Sequence, residues 1–233
     1  VIAVLQDGDL AHLKAYGLAN REAGVPMKTD ALFRLASITK PIVTAAAMRM
    51  IELGRLSLDA AVTDFFPDFK PRGPDGSTPT ITIRHLLTHT AGLSYDFLQP
   101  ESGPYNTLKV SAGIDGDITM EENLGRMVQA GLTFPPGAAW LYSVAIDVLG
   151  AVIMKIEGTD LEGAVRKYVT GPLDMADTSF FVTDAARLVQ PYSNASPEPT
   201  PISDNFKQYF VPGCAPINLG TSRAFNRNAF QGG

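Results

Sequence analysis

Ser37 and Lys40 are the residues most able to act on one another chemically. They stand three apart in Ser37-Ile38-Thr39-Lys40, a spacing that puts hydroxyl and amine on one face of a helix. A free serine hydroxyl is a poor nucleophile at neutral pH and needs an adjacent base. Lys40 could supply it where burial favours the neutral amine. Pro41 fixes the location, because a proline ring is tolerated only in the first helical turn; deeper in, it would strike the carbonyl four residues back, here that of Ser37. Ser37 is therefore expected at a helix N-terminus, where the dipole favours a developing alkoxide and free N–H groups suit an oxyanion. The plain alternative is a capping serine followed by a solvated lysine.

A second element is independent of the first. Phe134-Pro135-Pro136-Gly137 forms a rigid turn that leads through Ala138, Ala139, Trp140 and Leu141 to Tyr142. A phenol beside a lysine ammonium is easier to ionise and could accept or relay a proton. Taken alone, Trp140 and Tyr142 read equally well as large packing residues at a helix entrance.

The elements that must position these groups follow from periodicity. Ile42, Val43, Ala46, Ala47, Met50 and Ile51 recur at helical spacing up to Gly54, and Ala145, Val148, Leu149, Val152, Ile153 and Ile156 do so between Tyr142 and Glu157. Both predict core helices. Thr119-Met120-Glu121-Glu122 and Thr159-Asp160-Leu161-Glu162 predict capping boxes, opening helices that end near Gly131 and Gly171-Pro172. Val1 to Leu5 and Leu10 to Leu18 predict two antiparallel strands about Asp7-Gly8-Asp9. Lys70 to Pro79 and Pro191 to Pro201 read as surface loops. Strands first and helices after imply an α+β fold, with an antiparallel sheet covered by helices and a mostly helical region.

Composition narrows the function. The 233 residues are 45% hydrophobic and 18% charged, with mean hydropathy +0.05, too apolar for disorder. The apolar stretches are broken by Arg49, Asp147 and Lys155, well short of the roughly 20 apolar residues of a membrane span. The formal net charge of −5 and the absence of a basic run argue against a nucleic-acid partner. One cysteine, Cys214, allows neither an internal disulfide nor a cysteine zinc site. His85 and His89 stand four apart but lack the glutamate of a zincin and a third ligand, so structural roles are expected. Gly92-Leu93-Ser94-Tyr95-Asp96 lacks the closing glycine of a nucleophile elbow.

Three segments together resemble the serine β-lactamase and penicillin-binding-protein superfamily, in its class C-like branch and nearest the family VIII carboxylesterases. They are Leu32-Phe33-Arg34-Leu35-Ala36-Ser37-Ile38-Thr39-Lys40, Leu86-Leu87-Thr88-His89-Thr90-Ala91-Gly92-Leu93 and Tyr142-Ser143-Val144. The resemblance implies an acylated Ser37, Lys40 as its general base or the tuner of one, and Tyr142 as a second proton-transfer group. It implies a small ester or amide substrate and no metal or organic cofactor. Val144 stands where class C β-lactamases carry an asparagine amide, which tilts the expectation toward simple esters. β-Lactamase, D-amino-acid peptidase and acyltransferase chemistry stay open on the same residues, as does a non-catalytic penicillin-binding-like sensing module. Oligomeric state and compartment stay open too.

The family also places a Lys/His-x-Gly or Trp-x-Gly strand beside the site, and none follows Gly220. Measured against the family, residues 1–233 are expected to be one catalytic domain lacking an N-terminal helix before Val1 and strands and a helix after Gly233. Asn228-Ala229-Phe230-Gln231-Gly232-Gly233 resembles the middle of a family chain.

Overall fold

The computed structural model describes residues 1–113, 118–194, 196–204 and 206–219. The segment after Gly220, including Asn228 to Gly233, lies outside them. The chain opens with strands β1 (Ile2–Gln6) and β2 (Asp9–Lys14), paired antiparallel with a register shift between Val4 and Leu5. Asp7 and Gly8 turn the ribbon at φ +52° and +91°, the pair of positive angles that a two-residue turn of this hand needs. β2 ends four residues short of Leu18, and the chain re-pairs as β3 (Leu18–Asn20) with β4 (Val25–Pro26).

Helix α1 (Thr39–Glu52) buries Lys40, Val43, Ala46, Ala47 and Met50 on one face. Short helices α2 (Ile83–Leu87) and α3 (Pro104–Thr107) precede α4 (Met120–Ala130). Helix α5 (Ala145–Glu157) buries nine consecutive residues from Ala145 to Ile153 and packs on α1, α2 and α6 (Leu161–Val165). A helix buried almost all round is the centre of its domain. After α6 a π-helical turn spans Arg166–Thr170. The remaining ribbons are β5 (Tyr192–Ser193) with β6 (Thr200–Pro201), and β7 (Lys207–Gln208) with β8 (Ile217–Asn218).

The α+β class is as read from sequence, with local differences. Among the described residues the strands form four separate two-stranded antiparallel ribbons, and every residue of β1 is exposed. Pro191 to Pro201, expected as a loop, carries the β5–β6 hairpin. The Thr119 box is half formed: its hydroxyl accepts from Glu122 N–H, while the Glu122 carboxylate pairs with Arg126 instead of folding back. In the second box the cap moves one residue to Asp160, whose carboxylate accepts from Gly163 N–H, and Glu162 holds Phe180 N–H and Arg166. Both boxes lose the backward glutamate bond to an arginine one turn on, a charged partner that binds a carboxylate more strongly than a neutral amide does.

Candidate active site

Ser37 sits in a 3-10 turn, Ala36–Ile38, that runs directly into α1. Ala36 holds φ +44°, a left-handed value uncommon for a residue with a Cβ. Lys40 projects from the first turn of α1 with only 6% of its surface exposed. Its Nζ lies 3.5 Å from Ser37 Oγ, so the helical spacing brings amine and hydroxyl together. The same Nζ stands 4.9 Å from the ring centre of Tyr142 and 5.5 Å from that of Tyr95. Two aromatic faces on a cation replace part of its lost hydration.

Tyr142 is held by a seam between two distant segments. Thr133 N–H donates to Gly92 C=O at 2.7 Å, Gly137 N–H to Thr90 C=O at 2.8 Å and Leu141 N–H to His89 C=O at 2.9 Å. Gly92 allows the close approach: it adopts φ +82°, and a Cβ there would run into the Phe134 carbonyl oxygen. Tyr142 thus stands ahead of α5 rather than within it. Val144, two residues on, is fully buried in the core and offers the site no hydrogen bond from its side chain.

The His89 ring packs on Tyr142 with centroids 4.9 Å apart and edge-on to Trp140 at 6.2 Å. Its Nδ1 accepts from Ser143 N–H at 3.3 Å. Burial and then the charge of Lys40 push its pKa down to about 4, so it is neutral near pH 7. His85 does something else: its Nδ1 accepts from Thr82 N–H at the start of α2. The two histidines do not converge, and among the described residues no group of three or more His, Cys, Asp or Glu could hold a metal ion.

Beside Ser37 opens a cavity of about 370 Å³. Among the described residues, Ala36, Ser37, Tyr95 and Tyr142 line one end, and Phe97, Ala112, Phe210, Ile217 and Leu219 line the rest. Tyr95 is 2% exposed, and burial, then the charges of Asp147, Tyr142 and Asp96, raise its pKa well above the ordinary phenol value. At neutral pH it stays a neutral phenol. Sequence spacing singled out Ser37, Lys40 and Tyr142, which the structure brings together, but not Tyr95, Phe97 or Phe210. The only local sign of Tyr95 was its place three residues past Gly92, in a segment that failed as a nucleophile elbow.

The Beta-lactamase family model matches residues 1–209. Esterase EstB of Burkholderia gladioli is 44% identical over 235 residues, covering 100% of this chain and 60% of EstB. The ML-236A carboxylate methylbutanoyltransferase mlcH of Penicillium citrinum is 32% identical, with 77% of this chain and 46% of that protein covered. The solved structure of EstCE1, a hydrolase with promiscuous acyltransferase activity, superposes at TM-score 0.93 with 41% identity, covering 97% of this chain and 60% of that one. The chain therefore spans about three fifths of the length of EstB and EstCE1.

Proposed function

The chain belongs to the Beta-lactamase family, and from that premise we propose that it is the acyl-enzyme-forming catalytic domain, over residues 1–233, of a serine hydrolase of small carboxylic esters. The observation that carries the proposal is the 3.5 Å approach of Lys40 Nζ to Ser37 Oγ at the mouth of an apolar cavity. Ser37 Oγ attacks the ester carbonyl carbon, and its proton passes to the Lys40–Tyr142 pair. Lys40 Nζ stands 4.9 Å from the centre of the Tyr142 ring. Collapse of the tetrahedral intermediate breaks the bond to the alkoxy oxygen, and the alcohol leaves with that proton. Water then attacks the acyl carbon, gives its proton to the same pair, and releases the acid as Ser37 takes the proton back.

A fluorophosphonate probe tests this directly. Stoichiometric labelling is expected in the full-length protein, located at Ser37 by peptide mass and abolished in Ser37→Ala; undiminished labelling of that variant would place the nucleophile elsewhere. A second reading, transfer of the acyl group to an alcohol rather than to water, is favoured by the carbon-lined cavity and by the similarity to EstCE1 and mlcH. Ester exchange in the presence of a small alcohol, measured against hydrolysis, separates the two.

A further inference from the structure

The cavity next to Ser37 has two chemically different ends. Among the described residues, the end away from Ser37 and the two tyrosines is walled by carbon: Phe97, Ala112, Phe210, Ile217 and Leu219. Those five side chains carry no charge and no hydrogen-bonding group. A carboxylate or ammonium pushed against these five side chains would lose hydration that none of them can replace.

The walls are also aromatic in a connected way. Tyr95 stacks on Phe97 with centroids 4.7 Å apart at 21°, and Phe97 meets Phe210 at 5.7 Å and 54°. Phe210 is 58% exposed although it lines the cavity. A planar ring entering beside Ser37 would meet ring faces and edges in the offset and tilted arrangements aromatic pairs prefer. A linear alkyl chain of the same size would gain burial alone.

We infer that this cavity is an aryl-acyl subsite, and that the esters best processed carry an uncharged aromatic ring one or two methylenes from the carboxyl carbon. The inference rests on the acyl-enzyme reading above. The acyl limb is assigned to the cavity because it stays bonded to Ser37 Oγ through both steps, while the alcohol must reach solvent after the first. Phe97 and Phe210 are then specificity-determining residues.

The experiment uses the full-length protein and 4-nitrophenyl esters, so that the leaving group is constant. Phenylacetate should exceed octanoate, equal in carbon count, by about 2- to 12-fold in kcat/KM, the worth of one aromatic pair. The succinate hemiester should fall at least about 100-fold below butyrate, reflecting a buried unpaired charge. The phenylacetate-to-octanoate ratio should drop to parity in Phe210→Ala and in Phe97→Leu; a ratio within each variant is insensitive to partial loss of folded protein. Turnover of acetate through Ser37 with a ratio at or below one in the wild type overturns the subsite alone, as does a ratio unmoved in both variants. An aryl preference found in the alcohol limb and not the acyl limb also overturns it. Failure of Ser37 to acylate with any of the esters removes the subsite together with the hydrolase reading.

Discussion

Lys40 holds its amino group 3.5 Å from the Ser37 hydroxyl, one helical turn further on, in a position where little water reaches it. An arginine there would keep the charge but could not give up a proton under ordinary conditions. Lys40→Arg should therefore slow acylation of Ser37 by about 100- to 10,000-fold, the usual worth of a general base. Intact-mass measurement of the acyl-enzyme with time reads this; acylation within tenfold of the wild type would assign the base to another group.

Tyr142→Phe separates ring from phenol. The ring contacts to His89 and Lys40 survive, so the urea midpoint should stay where it is, while kcat falls by about 100-fold or more if the phenol carries protons. A parallel fall in both quantities would make Tyr142 a packing residue.

Gly92→Ala should disrupt the seam. The position requires φ +82°, and the new methyl group meets backbone, the Phe134 carbonyl, which has nowhere cheap to move. A loss of about 1–3 kcal/mol is expected from overpacking, with the left-handed strain in addition. By thermal unfolding this appears as a drop of several degrees. An unchanged Tm would show that the two segments part easily.

His89 makes stability depend on pH in a defined direction. Its pKa falls from the usual value near 6.5 to about 4 on folding, so the unfolded chain binds the extra proton more readily. Its contribution is fully present above about pH 6.5 and is lost as the pH falls toward 4. Urea midpoints should decline across that window in the wild type and decline less in His89→Asn, whose amide oxygen can still accept from Ser143 N–H. Parallel slopes would trace the acid sensitivity to carboxylates common to both proteins.

The sequence made the Ser37–Lys40 pair legible because a single helical turn fixes it, with Pro41 marking the turn as the first. Tyr142 was legible as a residue at the end of a rigid Pro-Pro-Gly turn and through family resemblance. Tyr95 and Phe210 were not, because each reaches the cavity across more than 50 residues of chain from Ser37, and no periodicity encodes such a meeting. His89 illustrates a related limit. It stands four residues from His85, but α2 stops at Leu87 and His89 turns away at φ +54°. The capping boxes show how a local rule yields to a nearby charge: the glutamates at both sites found arginines instead.

The seam between residues 89–94 and 133–144 begins and ends one excursion of the chain, and Tyr95, Phe97 and Ala112 lie on that excursion while Ser37, Lys40 and Tyr142 lie off it. Lengthening such a loop costs little closure entropy once its ends are tied. The cavity is in this sense walled from two sources, with Phe97 and Ala112 on the excursion and Phe210, Ile217 and Leu219 off it. Under the acyl-enzyme proposal, grafting the excursion of a relative between Tyr95 and Leu132 would exchange the Phe97 and Ala112 walls while leaving Ser37, Lys40 and Tyr142 in place, so that substrate choice could change apart from the proposed proton path.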